Sequence, residues 1–553
     1  MNILFPENSD RKCRQLPDET AKDLAIDEII SRIAMGVYDK NTLRSVLLEI
    51  PIVPADIRYR QEIFSDFDSN PELRKDLEEV LPMIRTLKDF AGARRAVSSK
   101  DNSLYTLLSD LRSLAVYVDT VRYLSDTLQK HAPKSSAFAE LRKEVTAITE
   151  APDFADAEKD IKVMLEDLSR VRSCMVGINF NPDLSISEVA AVEFLPYPLR
   201  SKYKFVQMAA IFGPIIQAGQ GAQALTRTLG NVPKSDDPLL AAIAPKLEKH
   251  LKRHFTEVRN LLAKYTNLDS HFITEMYEGL TFYIAISRFC VSLREAGYTL
   301  CMPQLTGMSE PGSGSRAETD APADQALSEK ASGALPMRFE VKDFYNLRLA
   351  ILGKKDIVKN DFLFSEQERL FILTGPNRGG KTILEQGLGL ISVFAAAGSF
   401  VTATSFEGLP FENILTHFPI DENLTINYGR LGEEAVRVRN IVKEADARTL
   451  VLFNETYSTT SESDALYLSE DLLHILKDKG SAVIFNTHIH ELARRTDVMN
   501  EWEGPGSVVS LVMEIRDDVN TFKVKRSPPD TTSYAKNIAR KYGITYDQMK
   551  ETL

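Results

Sequence analysis

RLFILTGPNRGGKTILEQGLGLISVFAAAG, residues 369–398, opens as a short apolar run, passes through Gly375-x-x-x-x-Gly380-Lys381-Thr382 and continues into a helical pattern that ends near Gly398. Set between a strand and a helix, this spacing is that of a phosphate-binding loop. Glycines let successive backbone N–H groups point at phosphate oxygens, and the helix N-terminus adds its partial positive charge. Lys381 is then placed to reach the outer phosphates of a nucleotide, and the Thr382 hydroxyl to ligate Mg²⁺.

Two further strands point to the same place. TLVLFNETYS, residues 449–458, runs from a buried-strand pattern into Asn454-Glu455, where an ATPase usually carries Asp-Glu. In an open α/β sheet such side chains arrive at the carboxyl edge, where ligands bind. Glu455 is placed there to orient or deprotonate a water, and Asn454 takes the position of the acid that holds Mg²⁺ through its water shell. SAVIFNTHIHEL, residues 481–492, delivers His488 to that edge to hydrogen-bond a terminal phosphate. The His488-x-His490-Glu491 cluster has a second reading as a metal site, but no distant ligand of recognisable spacing accompanies it. Asn in place of Asp removes one negative charge yet keeps an oxygen for a hard cation. With Lys381, Thr382, Glu455 and His488 all present, the expectation is a slow ATPase with weaker Mg²⁺ binding.

At 553 residues the chain exceeds what one core usually organises, so two or more domains are expected. With 43% hydrophobic and 26% charged residues the composition is globular. A formal charge of −11 speaks against coating DNA by bulk charge, while a local basic face remains compatible with gripping phosphates. The first residues carry acids and prolines where a signal peptide needs an apolar core, and no run is long enough to span a membrane. A cytoplasmic protein is expected, with Cys13, Cys174, Cys290 and Cys301 reduced.

Leucines and isoleucines at helical spacing in KDLAIDEIISRIAMG (22–36) and ELRKDLEEVLPMIRTLKDF (72–90) predict a helical bundle over the first third of the chain. VGINFNPDLSISEVAAVEF (176–194) alternates around an Asn-Pro-Asp turn and predicts a small hairpin. KLEKHLKRHFTEVRNLLAKY (246–265) predicts a helix with an apolar stripe of Leu247, Leu251, Phe255, Val258 and Leu262, its basic residues mostly off the stripe and more often solvated than bound to phosphate. Residues 306–335, rich in Gly, Ser, Pro, Ala and acids, predict a flexible linker. The rhythm from residue 336 to the C-terminus is that of an α/β domain with a largely parallel sheet.

The order and wording of LTGPNRGGKT, LVLFNETYSTTSESDA and FNTHIHEL resemble the ATPase domain of the MutS family of DNA mismatch-repair proteins, within the wider ABC-type ATPase class. SYAKNIARKYGI (533–544) and IVKND (357–361) extend the resemblance, and IRYRQEIFSDFDSNPELRKDL (57–77) and AISRFCVSLREAGYTLCMPQL (285–305) are more loosely similar to that family's core. The resemblance implies an α plus α/β fold, a helical core and lever region followed by an ABC-type phosphate-loop ATPase domain with a mainly parallel sheet. It divides the chain into a core-like region over 1–130, lever or clamp helices with the hairpin and a return to the core over 131–305, the linker over 306–335, and the ATPase with a C-terminal helical segment over 336–553. It implies that Gly375, Pro376, Asn377, Arg378, Gly379, Gly380, Lys381 and Thr382 cradle ATP, that Ile357 takes the place of the residue stacking on adenine, and that Thr382 and Asn454 hold Mg²⁺. It makes Glu455 the catalytic acid and His488 the switch histidine, with Lys381 in the catalytic set. Thr460 and Ser461 match a signature segment that crosses a dimer interface, which implies a homodimer closed by ATP.

Three departures qualify the match. The core-like helices begin within the first few dozen residues, without a mismatch-reading domain or connector ahead of them, and Phe138-Ala-Glu140 lies inside a helical stretch rather than in a wedge. No nuclease-like module is expected after the ATPase. YGRLGEEAVRV (428–438) carries acids where the family has a Ser-Thr-Phe segment. The leading expectation is a DNA-associated, ATP-dependent clamp acting in repair or recombination. The alternative is an ATP-gated dimeric switch for a protein partner, with little DNA binding or hydrolysis. A transporter ATPase is disfavoured by the helical N-terminal half and by STTSESD in place of Ser-Gly-Gly-Gln.

Overall fold

The computed structural model describes residues 2–96, 104–169, 173–183, 186–198, 252–265, 271–306, 337–419, 430–516, 519–529, 543 and 545–551. Most of the expected linker, Leu247 and Leu251 of the predicted stripe and nearly all of the 533–544 segment lie outside the described residues. The chain divides into two compact units: one of residues 75–132 and 139–277, and one of 2–74, 133–138 and 278–553.

The first unit contains most of the helix Pro71–Ala96, then Leu104–His131, Pro152–Ser169 and Lys252–Lys264. Its core is built from residues at helical spacing: Leu111, Val121, Leu124 and Leu128 on one helix, Phe154, Ala157 and Ile161 on a second, Phe255, Val258 and Leu261 on a third. On the third helix Leu261 is buried and Leu262 only partly so, one position from the predicted stripe. Two strands, Ser173–Phe180 and Ile186–Leu195, pair antiparallel over the predicted hairpin.

The second unit carries the two larger sheets. A four-stranded sheet joins Arg338–Phe344, its central strand, to Asn360–Ser365 and Ser405–Gly408, with the short strand Gln304–Leu305 at its edge. Phe339, Phe364 and Phe406 interlock in it, and Phe364 meets Phe371 edge-on with ring centroids 5.2 Å apart. Gly408 is required here: its φ is +127°, and a Cβ would lie 1.8 Å from the Arg338 carbonyl oxygen.

The larger sheet has six strands, labelled in chain order β1 (Glu368–Thr374), β2 (Asn413–His417), β3 (Thr449–Asn454), β4 (Ala482–Asn486), β5 (Ser507–Arg516) and β6 (Val519–Arg526). Their spatial order is β2-β3-β4-β1-β5-β6, parallel throughout except for the β5–β6 pair. Both faces are covered, as parallel sheets require, which is why β2, β3 and β4 are buried at every position. Ile372, Val451, Phe453, Val483 and Phe485 meet Leu472, Leu473 and Leu476 of the helix Glu462–Asp478 in one core cluster. The helix Lys381–Ala396 is buried almost all round, which accounts for the largely apolar composition of its run from Gly387 to Ala396. Parallel register sets Asn454 beside Asn486, and Asn486 beside Leu373, so the carboxyl ends of β1, β3 and β4 lie level with one another.

Candidate nucleotide site

At that edge β1 passes into the loop 375–380 and the helix Lys381–Ala396. Gly375 has φ +139° and packs so closely on β5 that a Cβ would lie 2.9 Å from Met513 Cβ. Gly380, the N-cap, has φ +93° and leaves room for Phe522 of β6, whose ring would be 3.1 Å from an added Cβ. A cradle that a Cβ would fill, at the N-terminus of a helix of more than four turns, is the arrangement that receives a phosphate chain.

Lys381 curls back over the loop, its Nζ donating to the carbonyls of Gly375 at 3.1 Å and Pro376 at 3.2 Å. Burial lowers its ammonium below the usual lysine range. The Thr382 hydroxyl donates to Asn454 Oδ1 at 3.3 Å. Asn486 Nδ2 donates to the same Oδ1 at 2.6 Å and to Glu385 Oε2 at 3.1 Å. Glu385 is wholly buried, and burial pushes its carboxyl well above the usual carboxylate range.

Glu455 follows directly, with its backbone N–H on the Asn486 carbonyl at 2.9 Å and φ of +54°. Its Oε1 accepts from His488 Nε2 at 2.9 Å, and that hydrogen bond, outweighing burial, holds the carboxyl below its usual range. Glu455 therefore stands ionised and half-exposed at the mouth of the site.

A cavity of about 450 Å³ opens over the loop, lined by the polar Asn377, Lys381, Thr382 and Glu455 and by Ile357, Tyr345 and Phe522. The lining thus offers both polar and apolar or aromatic groups, as a nucleotide with its phosphates and base demands. Asn377, Lys381, Thr382, Glu455 and Ile357 share this lining, whereas Gly375, Pro376, Asn454 and His488 are not part of it. Thr460 and Ser461 are not in this lining; Ser461 caps the helix Glu462–Asp478, accepting from Asp464 N at 3.2 Å.

Three residues escape the sequence reading. Glu385 had a local signal, a lone acid in the apolar run of its helix. Asn486 had a weaker one, a polar residue closing β4. Phe522 had none, because only the pairing of β6 with β5 brings it over the loop. Among the described residues no three His, Cys, Asp or Glu side chains group as a metal site, and none of the described helices is long and apolar enough to cross a membrane.

A family model of MutS domain V matches residues 371–550, and one of the MutS2 N-terminal domain matches residues 54–296. The curated DNA mismatch repair protein MutS of Thermosipho melanesiensis is 30% identical over 208 residues, 37% of this chain and 25% of that protein. The MutS of Chlorobium phaeobacteroides is 32% identical over 189 residues, 34% of this chain and 21% of its own. A Bacillus cereus MutS is 28% identical over 202 residues, 36% of this chain and 21% of its own. The match spans about a quarter of the length of these relatives. The largely parallel sheet with this loop at its carboxyl edge is that of a MutS domain V protein. With both models matched in chain order, the chain belongs to the MutS family.

Proposed function

We propose that the cavity over residues 375–382 binds ATP and that the chain hydrolyses it slowly, in an ABC-type site, to drive an action on DNA. The observation that carries this reading is the meeting of Lys381, Thr382, Asn454, Glu455 and His488 at one sheet edge, beside a cavity of nucleotide size. The loop N–H groups and Lys381 hold the phosphates, the ammonium exchanging the Gly375 and Pro376 carbonyls for phosphate oxygens. Ile357 and Phe522 flank the base. Thr382 and Asn454 would hold Mg²⁺ through their oxygens, and the residues present fit an oxygen-seeking cation. The metal supplies neutralisation of the charge on the phosphates. Glu455 accepts the proton of the attacking water, and His488 leaves Glu455 to hydrogen-bond the terminal phosphate.

Homodimerisation through Thr460 and Ser461, each completing the partner's site, belongs to the same proposal, as does the action on DNA, supported by the family matches. The test is binding of duplex, mismatched and branched DNA at low salt, with and without ATP. ATP-dependent retention of at least one of these is expected. Failure of all three, with ATP still bound, contradicts the DNA-directed part and leaves an ATP-gated protein switch.

A further inference from the structure

We infer that Glu385 is the relocated acid of the metal site, supplying from the helix the negative charge that Asn454 lacks at the strand end. This rests on the ATPase reading above. Four side chains form one continuous row: Thr382 to Asn454 at 3.3 Å, Asn454 to Asn486 at 2.6 Å, and Asn486 to Glu385 at 3.1 Å. The row begins at the hydroxyl placed to ligate Mg²⁺ and ends at a carboxyl. Its strand member, Asn454, provides geometry without charge.

Glu385 lies four residues beyond Lys381 on the same helix, hence on the same face and one turn deeper. It is 0% exposed, and its Oε1 has no hydrogen-bond partner. Asn486, also 0% exposed, has an unpartnered Oδ1. Two orphaned oxygens in a dry interior are costly unless something arrives to complete them. Leu384, Leu388 and Ile391, near it along the helix, are buried apolar residues, so the acid interrupts an apolar run. Oxygens, one of them able to carry full negative charge, are what a hard divalent cation and its water shell recruit. Burial disfavours the carboxylate on its own, and a divalent cation at Thr382 and Asn454 favours it, the proton leaving to solvent as the metal binds; the charge then acts on the cation without touching it. Glu385 is therefore a positioning and charge-supplying residue, reaching the cation through Asn486 and Asn454.

The test titrates Mn²⁺ by electron paramagnetic resonance into the full chain carrying a non-hydrolysable ATP analogue, with analogue binding in EDTA as the control. Glu385→Gln keeps the shape and removes the charge; it is expected to weaken Mn²⁺ about tenfold or more, the usual cost of losing an outer partner of a metal site. Analogue affinity in EDTA should stay unchanged. Adding Asn454→Asp to Glu385→Gln returns the charge to the strand and should restore Mn²⁺ affinity. Equal Mn²⁺ affinity in wild type and Glu385→Gln overturns the inference and leaves the ATPase reading standing, as does failure of the double variant to recover. Absence of analogue binding by wild type, with and without metal, overturns both. Should Glu385→Gln not fold, Glu385→Leu with Asn454→Asp takes its place: Mn²⁺ binding near wild type supports the relocation, and its loss in a folded variant refutes it.

Discussion

Lys381 is bonded to its own loop, donating to the carbonyls of Gly375 and Pro376. Its ammonium is partly desolvated, so a phosphate chain meets a cation that has already left bulk water. Lys381→Met should lower ATP affinity by about tenfold or more, the range of one charge-assisted hydrogen bond, without lowering the melting temperature. Equilibrium binding of a fluorescent ATP analogue checks this; unchanged affinity would remove Lys381 from the site. Residues such as Lys381, Thr382 and Glu455 were legible in the sequence because each belongs to a short pattern whose spacing has a mechanical reason. Glu385 and Asn486 were not, since their partnership crosses 101 residues and depends on strand register.

At the scale of elements, β1, β3 and β4 were legible as apolar runs closed by polar residues, and the hairpin over 173–195 by alternation around its turn. What packs against them was not. The helix Asp18–Asp23 reaches the sheet edge through Asp23, which accepts from Thr416 Oγ1 at 2.7 Å and Phe418 N at 3.2 Å and pairs with Arg437. Arg437 comes from the helix Arg430–Glu444, within the acid-containing segment that departs from the family pattern, and also donates to the carbonyls of Thr416 and Phe418. Burial raises the Asp23 carboxyl even with Arg437 beside it, so the pair is a costly one held together by its network. Arg437→Met strands a buried carboxylate and should destabilise the fold by about 3–5 kcal/mol, with Asp23→Asn in the same chain recovering part of the loss. Denaturant unfolding measures both; equal stability of wild type and Arg437→Met would make the pair energetically silent.

His417, at the end of β2, is 3% exposed and shares a hydrogen bond of 2.9 Å with the Thr456 hydroxyl. Burial, reinforced by the Arg437 charge, pushes its pKa down to about 4. The unfolded chain takes up a proton near the ordinary histidine pKa of about 6.5 while the folded chain does not, so stability is full above that pH and falls as pH drops toward 4. The loss from this group is about 3 kcal/mol at most. His417→Asn should flatten the difference between melting curves at pH 7 and pH 5; an unaltered difference would assign the acid sensitivity elsewhere.

Across the whole molecule the class of fold was legible, since strand–loop–helix rhythm and a phosphate-loop spacing together specify a parallel sheet with its ligand edge. The close packing of Phe522 on Gly380 was not, because an antiparallel edge strand from far along the chain creates it. ATP-driven pairing belongs at this scale as well. With Glu455→Gln and ATP, light scattering should report the mass of two chains, and of one chain in EDTA without nucleotide; one unchanging mass would contradict a dimer closed by ATP.

The claim on which the account turns is that Glu455, held in left-handed backbone beside His488, is the base of an ATP hydrolase. Steady-state hydrolysis and ATP binding measured on the same samples of wild type and Glu455→Gln test it most directly. The account predicts slow Mg²⁺-dependent turnover by wild type, a fall of about 10²–10⁴-fold in Glu455→Gln, and ATP affinity alike in both. Equal turnover by the two proteins, or ATP bound by neither, would contradict it.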